Sequence, residues 1–308
     1  IQLLAGDITT AQFIAYVGLG ATYQKYIADH LTLWVLAKKA QGATLRISEI
    51  LTLDEDRGGA QRAEQPGDLA FEHVSFSLGG KEILSDVSFT VKNGSKFAIV
   101  GESGSGKSTL LNLIEQFYRP AQGRITLGDA DVREFEISSY RDLFSYLPQN
   151  APGFDGTVRD FLCYGSKTAP SDAKLNELLK KVDMQESIET QGGLDYEVGL
   201  GASKLSGGQR QRLAVARMLL TDAKIVLADE ATSALDIDGS KRIATLIDEY
   251  AAGKTRIIVA HDLSTVQDAD TILVLDRGRV VGCGTHEELM AGCTRYQSLL
   301  SAGKEETA

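Results

Sequence analysis

The sequence predicts an α/β fold in which a largely parallel sheet carries a helical insertion, with one long helix ahead of it. Three observations predict this. Short apolar runs, KFAIV, KIVLAD, TRIIVA and TILVLD, alternate with helical patterns, and runs of four or five apolar residues read as buried central strands. From about Gln149 to Asp222 the strand-like runs stop and helical patterns take over, in TVRDFLCYG, DAKLNELLKKV and the run after Gly208. The first fifty residues differ in character from everything that follows.

That first segment is mostly apolar from Thr10 to Ala37, with Phe13, Ile14, Val17, Leu19, Ile27, Leu31, Leu33, Trp34, Val35 and Leu36. A helix needs roughly 20 mainly apolar residues to span a bilayer, and the run is long enough. Gln24, Lys25, Asp29 and His30 interrupt it. Such a cluster suits a water-lined pathway better than a lipid face, and Lys25 and Asp29 stand four apart, on one helix face. Lys38, Lys39 and Arg46 follow the apolar run, which places this end in the cytoplasm if the run crosses a membrane. The competing reading is an amphipathic helix packed on the second domain. A signal peptide fits poorly, because no basic n-region precedes the apolar residues. The chain begins at Ile1 rather than Met, and the expectation is a fragment of something longer.

The segment from Leu53 to Asp68, LDEDRGGAQRAEQPGD, is polar and rich in Gly and charge, a linker composition. The expected organisation is therefore 1–51 as a helical segment, 52–66 as linker and 67–303 as the α/β domain, with its helical subdomain near 149–222. In that domain LAFEHVSFSL and ILSDVSFTV read as two further strands, and no internal repeat is visible. The 308 residues carry a formal net charge of −10. The first fifty residues are slightly basic, so the acidity belongs to the second part. An acidic surface repels phosphate backbones, so no nucleic-acid partner is expected. Three cysteines, Cys163, Cys283 and Cys293, lack metal-type spacing and suggest a reducing compartment.

Three motifs carry the chemistry. KFAIVGESGSGKSTLLNLI is a strand, a glycine loop and a helix, and Gly101-x4-Gly106-Lys107-Ser108 is a phosphate-binding loop pattern. Its glycines let backbone N–H groups turn toward phosphates, and the helix starting near Lys107 adds its positive end. The loop comprises Gly101, Glu102, Ser103, Gly104, Ser105, Gly106, Lys107, Ser108 and Thr109. Lys107 supplies charge to the β- and γ-phosphates, and the Ser108 hydroxyl is placed for Mg²⁺. IVLADE delivers Asp229 and Glu230 at the end of an apolar strand, which suits metal and water handling. In LSGGQRQRLAVARMLL, Ser206-Gly207-Gly208 opens a helix and forms a second anion-seeking N-terminus.

The ordered set GESGSGKST, Gln149 in YLPQ, LSGGQ (Leu205, Ser206, Gly207, Gly208, Gln209), IVLADE, SALD ending at Asp236, and His261 in IIVAHD resembles the nucleotide-binding domain of ABC transporters. The resemblance covers Gly67 to Ala302. LLAGDITTAQFIAYVGLG with RISEIL is similar to the end of an exporter-type transmembrane domain, with its last membrane helix and cytoplasmic extension. The fold implied is a P-loop NTPase (RecA-like) core with an antiparallel β subdomain and a helical insertion. The implied cofactors are ATP and Mg²⁺. The resemblance implies two domains meeting head to tail, each ATP held between one phosphate loop and the other domain's LSGGQ. Ser108 and Gln149 would reach Mg²⁺, with Asp229 holding it through water. Glu230 would be the catalytic base, His261 the γ-phosphate partner, and Asp236 a link to the opposing domain.

One position departs from the family. Where an aromatic ring commonly stacks on adenine, Val74-Ser75-Phe76-Ser77-Leu78 places Leu78, which predicts weaker ATP binding or looser base selectivity. Phe71, from a neighbouring strand, is a candidate substitute. No catalytic motif is degenerate, which favours a homodimer, although the competent half of a heterodimer would look the same. The resemblance implies an ATP-hydrolysing exporter subunit in the inner or plasma membrane with a cytoplasmic nucleotide-binding domain. The alternatives are a non-transport ABC ATPase and an importer-type ATPase with a separate permease. Lipids, peptides and small hydrophobic compounds are all open as cargo.

Overall fold

The computed structural model describes residues 8–53, 56–166, 168–231, 235–260 and 263–306. The chain divides into two compact units, residues 1–56 and 57–308.

The first unit is one helix, α1 (Thr10–Leu51), 42 residues long and hence about 63 Å at 1.5 Å per residue. It starts where Thr9 and Gln12 close a capping box: the Gln12 N–H donates to the Thr9 hydroxyl and the Thr9 N–H donates to Gln12 Oε1. None of its residues is buried. The hydroxyls of Thr22, Thr32 and Thr44 and the His30 Nδ1 each bond to the carbonyl four residues earlier, so these polar groups are satisfied within the helix. Among the described residues, Lys25 and Asp29 form no ion pair with one another, and no helix is both long and apolar enough to cross a membrane. By hydropathy alone, then, the run from Thr10 to Ala37 does not qualify as a span. Length suffices for a hydrocarbon core of about 30 Å; the dilution by Gln24, Lys25, Asp29 and His30 does not let the run qualify.

In the second unit, residues 57–63 lie against the segment 134–139, within the stretch whose composition reads as linker. The Gly59 N–H donates to the Phe135 carbonyl (2.8 Å), the Gln61 N–H to the Glu134 carbonyl (3.0 Å), and the Ala63 N–H to the Ser139 hydroxyl (3.1 Å). A Cβ on Gly59 would collide with the Glu134 backbone, so glycine is what allows this approach.

The elements then run β1 (Leu69–Leu78), β2 (Lys81–Val91), β3 (Lys96–Val100), α2 (Lys107–Ile114), β4 (Gln122–Leu127), β5 (Ala130–Asp131), α3 (Ile137–Arg141) and β6 (Phe144–Leu147). A helical stretch follows: α4 (Val158–Cys163), α5 (Asp172–Lys181), α6 (Gln185–Glu189) and α7 (Gly207–Met218). The chain returns to the sheet with β7 (Ile225–Asp229), α8 (Ile237–Tyr250), β8 (Thr255–Val259), β9 (Thr271–Asp276) and β10 (Arg279–Gly284), and closes with α9 (His286–Gly292) and α10 (Thr294–Glu306).

Two sheets result. β2-β1-β4-β5 is antiparallel throughout. The second, in order β10-β9-β3-β8-β7-β6, is parallel except at its β10 edge. Every residue of β3 and of β7 is buried, as continuous apolar runs in a covered parallel sheet require. Phe71, Phe89 and Phe97 form a stacked aromatic column at 4.5 and 5.4 Å that joins the two sheets through the core. A second core, from Leu147 through the helical stretch to Ala251, binds α4, α5 and α7 to the other part of the sheet.

Because β3, β6, β7 and β8 are parallel, their C-terminal ends share one edge. The phosphate loop follows β3, Gln149 follows β6, and Asp229 closes β7. Open parallel sheets place ligands at such an edge.

Behind the phosphate loop, Glu115 terminates α2 and is 7% exposed. Burial pushes its carboxyl up to about 7, against the opposing pull of Arg141. A carboxyl whose folded value is raised binds its proton better folded than unfolded. Its contribution is fully present below about 4.5 and is lost as pH rises through 7, with a cost on the order of 3 kcal/mol. Glu115→Gln should therefore be more stable than the parent chain at pH 8, and the gap should close by pH 5. Parallel curves of urea midpoint against pH for the two proteins would refute this.

Candidate functional site

The phosphate loop is shaped by contacts that exclude side chains. A Cβ at Gly101 would strike the Leu275 carbonyl, and one at Gly106 would lie 2.7 Å from Leu84 Cδ2. Gly106 also has φ of 107°, which disfavours any other residue, and it caps α2 without a side-chain bond, leaving the first helical N–H groups open to an anion. Lys107 is 7% exposed, and its ammonium donates to the carbonyls of Gly101 (2.8 Å) and Glu102 (3.0 Å), curling over the loop. Burial lowers its pKa, while Glu230 and Asp229 pull it back up. Ser105 Oγ is buried without a hydrogen-bond partner, an orphan of the kind a bound group resolves. Ser103, Gly104 and Thr109 complete the loop and the first turn of α2.

One side-chain pair connects this loop to the end of β7, and a second joins the segments that follow β6 and β7. The Ser108 hydroxyl donates to Asp229 Oδ2 at 3.0 Å, and Gln149 Nε2 donates to Glu230 Oε2 at 2.6 Å. Burial raises the Asp229 carboxyl; the Ser108 hydroxyl opposes this, Glu230 adds to it and Lys107 opposes it. Tyr146, on β6, is pushed up to about 12 by burial and by Asp229 and Glu115, so it stays a neutral phenol. Glu230 has φ of 47°, a left-handed conformation that is uncommon outside glycine, and its N–H donates to the Val259 carbonyl. Strain of this kind gathers where a side chain must be re-aimed, here at the step from β7 into the site.

The structure thus brings Gly101 to Thr109, Gln149, Asp229 and Glu230 to one edge. His261 lies outside the described residues. A hydroxyl beside a carboxylate is an oxygen donor set that fits Mg²⁺, which prefers one or two protein oxygens, phosphate and water. Among the described residues, no cluster of three or more His, Cys, Asp or Glu could hold a metal ion.

LSGGQ stands elsewhere. Ser206 caps α7 in a box with Gln209, each accepting from the other's N–H. A concavity is lined by Ser206, Gly207, Gly208, Gln209, Arg212 and Asp236 among others, and no phosphate-loop residue lines it. Leu205 is buried beneath it. Asp236 caps α8 and pairs with Arg212 at 3.5 Å.

Leu78 ends β1 at the tight turn into β2 and is 52% exposed, a free apolar side chain at the surface. Phe71 is no substitute for it. It lies on β1 itself rather than on a neighbouring strand, 2% exposed and stacked on Phe89, because the pleat turns it into the core. Two residues near the site escaped sequence reasoning. Arg295 on α10 reaches back to Glu102 (2.7 Å) and Asp276 (2.9 Å), a contact across most of the chain that no local pattern announces. Gln211 sits on the buried face of α7, and a glutamine in register with Ala214, Val215 and Met218 was a readable signal.

A six-stranded sheet with a glycine loop over β3, an acidic pair ending β7 and a helical insertion defines a P-loop nucleotide-binding domain. The ABC transporter family model matches residues 84–233. The chain is 37% identical over 313 residues to an ATP-dependent lipid A-core flippase of Pseudomonas fluorescens, covering all of this chain and 52% of that protein. It is 35% identical to a flippase of the same description from Pseudomonas aeruginosa, covering 99% of this chain and 51% of that one. A solved structure, a bacterial Atm1-family ABC exporter with ATP bound, matches with a TM-score of 0.74 at 37% identity, covering 81% of this chain and 44% of that chain. Residues 84–233 form an ABC transporter domain, and the solved relative is described as an exporter. The chain spans about half the length of the curated relatives it matches.

Proposed function

We propose that the chain is the ATP-binding and hydrolysing part of an ABC exporter, coupling ATP-driven pairing of two nucleotide-binding domains to export across a membrane. The observation that carries this is the double link Ser108–Asp229 and Gln149–Glu230. It sets a hydroxyl, two carboxylates and an amide around the mouth of a phosphate loop whose lysine is already in place.

In this reading the loop N–H groups and Lys107 hold the β- and γ-phosphates and offset charge developing on them. Ser108, Gln149 and Asp229 would hold Mg²⁺, which would neutralise phosphate charge when bound. Glu230 orients a water and takes its proton, and His261 would contact the γ-phosphate. LSGGQ and Asp236 face a concavity of their own, so they serve the nucleotide of a second copy. The intact motif set supports a homodimer. The described exporter among the relatives supports attachment to a membrane with the nucleotide-binding domain on the cytoplasmic side. The curated relatives are described as lipid A-core flippases and the solved one as an Atm1-family exporter; the residues that would choose a cargo lie among membrane helices, so no cargo is assigned.

The full-length protein should require detergent for extraction and, in lipid vesicles, hydrolyse ATP only with Mg²⁺. Release by salt alone would favour a non-transport ATPase or one docked on a separate permease, and absent hydrolysis would remove the enzymatic reading. In the same assay Leu78→Tyr should tighten ATP binding and raise the preference for ATP over GTP, because stacking on a base contributes about 1–3 kcal/mol. Unchanged affinity and an unchanged ATP/GTP ratio would take Leu78 out of the adenine site.

A further inference from the structure

Gln211 is 1% exposed, deep in the helical core, and its amide is fully used. Its Oε1 accepts from the Ala151 N–H at 3.2 Å, and its Nε2 donates to the carbonyls of Pro148 (3.2 Å) and Ala231 (2.9 Å). These three partners are not scattered. Pro148 and Ala151 bracket Gln149 on the segment leaving β6, and Ala231 directly follows Glu230. One side chain therefore grips the backbone on both sides of Gln149 and the residue after Glu230, the two groups that hydrogen-bond to one another at 2.6 Å. Gln211 also belongs to α7, whose N-terminus carries Ser206, Gly207 and Gly208.

We propose that Gln211 is a positioning residue that locks the Gln149 segment and the Glu230 turn into one geometry and ties that geometry to the LSGGQ helix. The proposal rests on the reading of Glu230 and Gln149 as hydrolytic groups. A buried amide with all three bonds made holds its partners in one arrangement, whereas an apolar side chain of equal size leaves the two carbonyls and the N–H unpaired. Displacement of the pair by about 1 Å suffices to cost up to a hundredfold in rate. Nucleotide affinity rests on the phosphate loop after β3, to which Gln211 makes no hydrogen bond among the described residues. Any shift of α7, such as a partner's nucleotide seated on its N-terminus would cause, passes through this amide to the catalytic groups of the same domain.

The test compares Gln211→Met and Gln211→Glu in the full-length protein, with steady-state ATP hydrolysis and residue-resolved amide exchange. Gln211→Met should lower kcat about tenfold or more with KM for ATP within about twofold, and the Ala151 amide should lose its protection. Gln211→Glu keeps the acceptor for Ala151 and loses both donors. Its Ala151 amide should stay protected while kcat still falls. Unchanged kcat in both variants overturns the proposal. So does a fall in kcat accompanied by an equal rise in KM and faster exchange throughout the domain, the pattern of general destabilisation. If the parent protein hydrolyses no ATP, the functional reading fails instead. Ala151 exchange in Gln211→Met then still decides the clamp, since retained protection there overturns it.

Discussion

Glu230→Gln should bind ATP as well as the parent chain and hydrolyse it on the order of 100–1000 times more slowly. Glu230 follows β7 directly in a left-handed conformation, its carboxylate held by Gln149 Nε2 at 2.6 Å. A water delivered near the γ-phosphate can lose its proton to that carboxylate. An amide of the same shape cannot accept it, so the chemical step loses its base while the phosphate loop keeps its grip through Lys107 and the start of α2. ATP should then persist in the site, and pairs of domains closed around it should accumulate. The measurements are kcat, ATP affinity and the fraction of paired domains with ATP and Mg²⁺. Near-normal turnover would remove Glu230 from its role, and lost ATP binding would mean that its charge holds the nucleotide rather than the water.

Lys107→Met should nearly abolish hydrolysis and weaken ATP binding by about a hundredfold, the effect of removing a partly desolvated charge from a triphosphate. The Lys107 ammonium also spans the carbonyls of Gly101 and Glu102, so the loop itself loosens, and thermal stability should be measured alongside. A more discriminating result comes from co-producing Lys107→Met with Ser206→Arg. Each variant alone should be inactive. Together they should recover part of the activity, because a mixed pair contains one site in which an intact phosphate loop meets an intact LSGGQ. The concavity at LSGGQ is lined by no phosphate-loop residue, and that separation of the two motifs is the structural basis of this expectation. A mixture as inactive as its parts would place both motifs on the same nucleotide and remove the head-to-tail arrangement.

Much of the fold was legible because its signals are local. KFAIV and IVLAD are buried along their whole length, and the pause in strands after Gln149 coincides with α4 to α7. β4, β5, β6 and β10 were missed, β5 being only two residues long. QGRITL and RVVGCG are partly exposed strands with weak apolar alternation, and FSYL is four residues long, below what periodicity resolves. The polar stretch before Gly67 reads as linker by composition, yet residues 57–63 are held by backbone bonds to 134–136, to which composition is blind. The span expected over Thr10 to Ala37 became a single long helix that hydropathy alone does not qualify to cross a membrane.

By itself the sequence determined the phosphate loop, the acidic pair, LSGGQ and the α/β class, since each is written in a contiguous run whose chemistry depends on spacing along one strand, turn or helix. Tertiary structure alone decided what those motifs do to each other. The strand order puts β8 between β3 and β7, and parallel strands bring the loop, Gln149 and the acidic pair to one edge. Only the folded core reveals that Phe71 is committed to an aromatic column, that Arg295 returns to Glu102, and that Gln211 joins three backbone segments. The physical reason is range. Propensity and spacing act over a few residues, whereas hydrogen bonds between residues 20 to 190 apart exist only after burial has brought their segments together and excluded water.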